Sequence, residues 1–261
     1  MSIITYAFLS TLMASVVLCS SESMQTKSEL AFSCPLHAFA ATGYAWSMEA
    51  GIRNIQYGFW DPADQGYDST LGNASFFTLG FGYRFWKMLD VDFNYNFYNT
   101  FHYEKRQTSP FGQSGEIRMR FFDLDNQSGM LNFSLYPYAI GIWRTRMEIV
   151  PFIGAGIGVS ANNVSNFYTV GNDVPGIGSV TSTGLPRSTI AFAWQGMGGF
   201  RIHPKTSMLS IDVAYRYYNG GKFLCPSTIT SFADNGKLFT GKPWKGTLQT
   251  NQLYFAFNIS L

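Results

Sequence analysis

Apolar and polar positions alternate one by one along most of this chain, and from residue 44 onward the alternation recurs in eight stretches. Successive residues of a β-strand point to opposite faces, so each stretch reads as a strand with one apolar and one polar or small-residue side. The last stretch, 250–261, sets Leu253, Phe255, Phe257, Ile259 and Leu261 against Gln252, Tyr254, Ala256, Asn258 and Ser260. The first, 44–57, aligns Tyr44, Trp46, Met48, Ala50 and Ile52. Segment 74–86 opposes Phe77, Leu79, Phe81, Tyr83 and Phe85 to Thr78, Gly80, Gly82 and Arg84, and 90–102 opposes Val91, Phe93, Tyr95 and Phe97 to Asp92, Asn94 and Asn96. Segment 130–140 is less regular and contains Pro137; 148–160 sets Ile153, Ala155, Ile157 and Val159 against three glycines. Segments 188–203 and 207–218 complete the set. Each has about the 9–11 residues a tilted strand needs to cross a bilayer, or slightly more.

The connections sort by length. Residues 87–89, 141–147 and 203–206 are short, whereas 58–73, 103–129, 161–187 and 219–247 are long. Short turns at one rim and long loops at the other predict an all-β fold: an eight-stranded antiparallel up-and-down transmembrane β-barrel, with short periplasmic turns and four long extracellular loops. Residues 116–124 also alternate. They extend the third and fourth strands as a hairpin above the membrane or, with 167–170, raise the count to ten; eight is the expectation.

Composition sharpens this reading. Of 261 residues only 13% are charged and 17% are aromatic, against a usual charged fraction of about 25%. Low charge fits a body whose outside meets lipid, yet no mature segment is a run of about 18 apolar residues, which argues against helical spans. A barrel resolves the conflict by spreading apolar residues over alternate positions. The apolar faces are too bulky for the inside of eight strands, which holds only side chains or one small ligand. They are expected to face lipid, with Trp46, Trp86, Tyr83, Trp143 and Trp194 at the interfaces. The opposite face then carries Glu49, Arg53, Arg84, Asp92, Arg201, Asp212 and Arg216. Charges so enclosed must be paired, so these seven form the candidate lumen network, structural or gating.

The net charge of +2 shows no basic stripe, and nucleic acid is not an expected partner. Residues 3–19 are apolar and precede Ser20 to Ser23, as in a signal peptide, although no Lys or Arg comes first. A start at Met24, with Lys27 as the positive region, is the alternative. The expected division is residues 1–23 as signal, 24–43 as an N-terminal periplasmic segment and 44–261 as the barrel. Cys19 falls in the signal; Cys34 and Cys225 fall at opposite ends of the barrel, and three cysteines make no disulfide framework.

With the strands placed, the chain resembles the small OmpA-like and opacity-type outer-membrane β-barrel family. The resemblance rests on M-L-N-F from Met130, P-F-I-G-A-G-I-G-V from Pro151, F-A-W-Q-G-M-G-G from Phe192, A-Y-R-Y from Ala214 and the terminal L-Y-F-A-F-N-I. It covers the second half by motif and the first half by pattern. The family usually ends in Phe where this chain has Leu261, and the peptidoglycan-binding module of longer relatives is not expected. The resemblance implies a surface antigen, an adhesin or a narrow channel, in a bacterial outer membrane.

Partners follow from that reading: outer-membrane lipid and lipopolysaccharide, the barrel-assembly machinery through the strand from Leu253 to Leu261, and a host or environmental ligand at the loops, with the barrel as a monomer. The loops carry Trp60, Tyr67, Phe167, Tyr168 and Trp244, and the last adds Lys222, Lys237, Lys242 and Lys245. Loops on a rigid scaffold are where recognition sits, so a structural or adhesive surface role is expected first. A low-conductance channel is second and a soluble ligand-binding barrel third. Catalysis is not expected: His37, His102 and His203 are the only histidines, and none has a nucleophile at a spacing that forces a triad. No cofactor or metal site is expected.

Overall fold

The computed structural model describes residues 35–54, 58–59, 70–86, 88–108, 117–137, 147–171, 179–204, 207–231, 236–240 and 243–261. Among them fourteen strands form one antiparallel sheet: β1 (Leu36–Ser47), β2 (Arg53–Asn54), β3 (Gly58–Phe59), β4 (Asn73–Trp86), β5 (Leu89–Tyr98), β6 (Phe101–Thr108), β7 (Ile117–Leu135), β8 (Met147–Gly171), β9 (Ser179–Gly184), β10 (Arg187–Pro204), β11 (Leu209–Leu224), β12 (Thr228–Ser231), β13 (Lys237–Thr240) and β14 (Trp244–Ser260). Eight of these close a ring in the order β1, β4, β5, β7, β8, β10, β11, β14 and back to β1. Closure leaves no free edge in the ring, which is what lets a sheet stand in hydrocarbon.

β1 seals the ring because both of its sides are paired throughout: Ala41 lies opposite Ala256 of β14 and Thr78 of β4. The start of β1 and the last residue meet there, with the Leu261 amide donating to the Leu36 carbonyl. At that rim β4 ends at Trp86 and β5 begins at Leu89, and β10 ends at Pro204, whose carbonyl accepts from the Ser207 amide ahead of β11. At the opposite rim the wall continues well past the ring. The first half of β7 pairs with β6, the last residues of β8 pair with β9, and β12 and β13 extend that side.

Strand alternation fixes which way each side chain points, and the outcome is apolar outside and polar inside. Leu79 is 50% exposed, Ile153 64% and Phe257 62%, while Thr78, Asn96, Arg216 and Gln252 are fully buried. A barrel in water would reverse this order. The outward aromatics pair across strands, as Phe81 does with Phe93 at 5.8 Å between ring centroids and Trp194 with Tyr217 at 5.1 Å. Trp46 packs 6.4 Å from Tyr215, whose hydroxyl donates to Asn251 Oδ1, so these rings stand where the apolar wall meets polar residues. Trp46, Tyr83 and Trp194 are exposed; the Trp86 side chain and Trp143 lie outside the described residues.

Three expectations need correction. The first strand is β1, starting at Leu36 rather than 44, so part of the segment assigned to the periplasm is barrel wall. Its first half hid in the sequence because it points small Ala38, Ala40 and Thr42 outward, opposite His37 and Phe39. β1 also stops at Ser47, and the parity of 44–52 breaks there: Tyr44, Trp46 and Met48 are exposed, but Ala50 and Ile52 are buried. The expected count of eight holds, because 116–124 falls in the first half of β7 and 167–170 at the end of β8. Finally, the inward face is not only polar, for Phe39, Phe76, Phe152 and Tyr254 also turn in.

Candidate functional site

The barrel interior is built in layers. Nearest the short-turn rim, β4, β5, β10 and β11 bring together two arginines and two aspartates. Arg201 holds Asp212 with two hydrogen bonds, Nε to Oδ1 at 2.7 Å and Nη2 to Oδ2 at 2.8 Å. Its Nη1 reaches Asp90 Oδ2 at 3.3 Å. Asp90 is gripped from the other side by Arg84, Nε to Oδ1 at 2.6 Å and Nη2 to Oδ2 at 2.9 Å. The register makes these forks: Arg84 lies directly opposite Asp90 across the β4–β5 turn, and Arg201 opposite Asp212 in β10 and β11. The Tyr136 ring lies under the Arg201 guanidinium at 4.4 Å. Paired, hydrogen-bonded and stacked, the charges meet the conditions for burial.

The next layer is amide-rich. Asn132 donates to Asp92 Oδ1 at 2.7 Å, and Gln195 donates to Asn132 Oδ1. Gly156 makes room for that chain, since a Cβ there would collide with the Asn132 side chain. Arg216, wholly buried, donates to Gln252 Oε1 through Nε, to Asn96 Oδ1 through Nη1 and to the Tyr98 hydroxyl through Nη2. It is held between the Phe76 and Tyr254 rings at 4.6 and 4.9 Å. Above it, the Tyr218 hydroxyl donates to Asn126 Oδ1, Asn126 donates to Asn162, and Asn162 and Ser160 donate to the Gly220 carbonyl.

Beyond the amide layers the interior turns apolar. Phe101, Tyr103, Phe122, Phe167, Phe223 and Trp244 are buried between the ring and its extension. Tyr103 stacks on Phe122 at 4.5 Å, Phe167 meets Trp244 edge-on at 6.2 Å, and the Arg120 guanidinium lies 3.5 Å over the Trp244 ring. Among the described residues, a cavity of about 20 Å³ in the lower barrel is bordered by Asp90, Asp92, Asn94, Arg201, Asp212 and Asn258, room for about one water molecule.

The structure therefore brings Arg84, Arg201 and Asp212 into one cluster. Asp92 sits beside it but is held by Asn132, with no arginine at ion-pair distance among the described residues. Arg216 belongs to the amide layer above. Glu49 is not in the lumen: it is exposed past the end of β1, bridged to Thr70, because the strand on which its parity was counted has already ended. Arg53 belongs to β2, and its side chain lies outside the described residues.

Reading the sequence missed Asp90, which shares its face with Asp92 two residues on and was there to be found by parity. It set Asn96 and Gln252 on the inward face without assigning them to the network, and it missed Asn132, a neutral residue whose position gave the only signal. On the outside of the extension, His102 Nδ1 lies 2.6 Å from Asp123 Oδ1, and Asn166 holds the other carboxylate oxygen at 2.6 Å. Among the described residues no group of His, Cys, Asp or Glu has the arrangement of a metal site. Among the described residues Cys225 is a buried free thiol.

No family model and no curated protein sequence matches this chain. Solved structures do resemble it. Neisserial surface protein A is 12% identical, with a TM-score of 0.42 over 87% of this chain and 97% of its own. The outer membrane protein OprG of Pseudomonas aeruginosa is 12% identical, with a TM-score of 0.45 over 87% of this chain and 98% of its own. The outer membrane protein AlkL is 14% identical, with a TM-score of 0.37 over 92% and 97%. Each TM-score lies below 0.5, so the eight-stranded ring rests on the strand pairing of this chain itself and not on these likenesses.

Proposed function

We propose that this protein is a surface barrel of the bacterial outer membrane, non-catalytic, whose lumen is closed by its own side chains and whose role is carried by the structure beyond the long-loop rim. The observation that carries the proposal is the orientation of the wall together with its filling: bulky apolar residues outside, and inside a continuous stack from the Arg201–Asp212 pair up to the aromatic cluster. A wall of that polarity is stable in lipid. The cavity beside the lower ion pairs has room for about one water, which supports a lumen closed to solutes.

The part that reaches outward is β-structured: β6, β9, β12, β13 and the long ends of β7 and β8. A rigid platform of that kind suits a structural or adhesive role at the surface. β14, with its unbroken outward row from Leu253 to Ile259, is the segment we assign to recognition by the barrel-assembly machinery. The low-conductance channel is the lesser reading, because nothing in the interior favours it over closure.

Two measurements test the proposal. Extraction only with detergent and heat-modifiable gel migration are expected; a freely soluble monomer would refute the membrane location. Deleting the β9 and β12–β13 segments is expected to abolish binding to host-cell or abiotic surfaces while leaving the heat-modifiable barrel intact. Unchanged binding in every deletion would end the adhesive role.

A further inference from the structure

The apolar side of the wall does not end at one height. Tyr217 of β11 lies opposite Asn251 of β14, where the outward row of β14 turns polar and continues as Gln249, Thr247 and Lys245. On β10 the outward row stays apolar past Trp194, whose ring meets that of Tyr217, and runs on through Phe192 to Ile190. Ile190 is 81% exposed, more than any other large apolar side chain among the described residues. Val159 of β8, opposite Phe192, is exposed too, as is Leu185 just ahead of β10. Gly221, at φ +71°, stands against Ala191 and the Phe192 carbonyl, which sets the exposed Lys222 beside this patch. On the far side Ile190 pairs with Ala161 of β8, and the next outward residue of β8, Asn163, pairs with Asp125 of β7. Asp123 follows on β7, and Glu104 stands on β6. The upper wall therefore runs from acidic on β6 and β7, through apolar on β8 and β10, to basic on β11 and β14, where Lys245 joins Lys222.

Hydrocarbon covers a wall to one depth, so it does not suit a lysine, an exposed isoleucine and a carboxylate on neighbouring strands. Tilting the barrel would lower the flanking charges along with the patch. A protein surface with an apolar centre and a charged rim suits all three. The order of the zones selects that surface. Two copies in one membrane share an orientation, so a two-fold axis between them stands along the bilayer normal. An isologous contact about that axis sets each flank against the opposite flank of the other copy. With the axis on the patch of Ile190, Phe192 and Val159, acidic meets basic twice around a shared apolar centre. Resting on the membrane location proposed above, and in place of the monomer expected from the sequence, we infer that the β8–β10 wall is the face through which two copies of this chain pair. Ile190 and Phe192 form the centre, and Lys222 faces the partner's Asp125 on each side.

The test is sedimentation equilibrium of the full-length protein in density-matched detergent micelles at low salt. A monomer–dimer equilibrium is expected for the wild type, and Ile190→Glu is expected to weaken it roughly tenfold or more. Lys222→Glu and Asp125→Lys each set like charges face to face in their own homodimers, and each is expected to weaken pairing severalfold. Mixed together, these two variants are expected to pair with each other more tightly than either pairs with itself, because every flank contact in the mixed dimer again joins opposite charges. A wild type that stays monomeric at every concentration would overturn the proposal, and so would a dimer indifferent to Ile190→Glu. A mixture no tighter than its components would overturn the two-fold arrangement of the flanks. Ile190→Glu and Lys222→Glu change exposed side chains, so the result does not hang on Asp125, which also accepts from the Thr100 hydroxyl. Heat-modifiable migration reports separately on the barrel: its absence in the wild type would count against the membrane reading, and its retention in each variant shows that weakened pairing is not unfolding.

Discussion

Replacing Arg201 with methionine removes the one side chain that ties the two aspartates of the lower interior together. The arginine is 8% exposed and Asp212 5%, and their two-pronged contact is the only ion pair Asp212 makes among the described residues. With Arg201 gone, the Asp212 carboxylate stays enclosed beside Asp90 and Asp92, with Arg84 as the remaining guanidinium of the cluster, already engaged by Asp90. Breaking a buried pair from one side typically costs about 3–5 kcal/mol, because the stranded charge has lost its solvent and its counter-charge. Replacing both partners by apolar residues of similar volume is often nearly neutral. Arg201→Met is therefore expected to lower the unfolding free energy by about 3–5 kcal/mol, and Arg201→Met with Asp212→Leu to recover at least half of that loss. Asp90 tolerates the double change because its Arg84 contacts remain. Urea titration in lipid vesicles, with the heat-modifiable band as the folded signal, measures both. A single-variant loss below about 1 kcal/mol, or a double variant showing the plain sum of two single losses, would refute the claim that this pair is buried and mutually dependent.

Three further expectations follow from other parts of the barrel. Phe257→Arg puts a charge on the outward face of β14, where Phe257 is 62% exposed; in lipid vesicles it should cost about 2–4 kcal/mol, and no cost would mean that the face meets water. Gly156→Ala drives a methyl group into the Asn132 amide and should cost about 1–3 kcal/mol by the same titration, whereas Gly196→Ala, with nothing within 4 Å of the new atom, should cost no more than about 0.5 kcal/mol. Burial pushes the Cys225 thiol up to about 12, which favours the neutral form, and only the thiolate attacks disulfide reagents. Labelling at pH 8 should therefore be at least a hundredfold slower in the folded barrel than in urea; equal rates would show that the thiol is open to solvent.

The staves were easiest to read where bulky side chains face out and small or polar ones face in. Strands such as β4 and β14 carry that contrast through nearly every pair of positions, so their faces and approximate limits were legible. β1 broke the rule in its first half, because its outward residues are Ala38, Ala40 and Thr42 and its inward ones include Phe39. With little apolar difference between faces, alternation carries no signal, and only the pairing to β4 and β14 fixes the strand. The same strand misplaced Glu49, since counting by twos ran through the irregular stretch around Gly51.

The interior charges divide in the same way. Arg201 and Asp212 were visible as charges on a face of small residues, but that Arg84 would choose Asp90 over Asp92 depends on a cross-strand register that no single segment contains. The amide layer around Arg216 was less legible still, because Asn96, Asn132 and Gln252 are unremarkable in sequence and acquire a role only when opposite walls of the ring come within hydrogen-bond distance. The aromatic cluster above them was read as loop residues. It is interior because β7 and β8 run 19 and 25 residues, well past the ring.

The central claim is that these layers leave no path through the barrel, and ion conductance across a planar bilayer tests it most directly. Purified, refolded full-length protein is expected to give no openings above the bare-membrane baseline, and Arg201→Met, which enlarges only the lower cavity beneath the aromatic cluster, is expected to stay equally silent. Reproducible unitary openings from the wild-type protein would contradict the account and establish a channel.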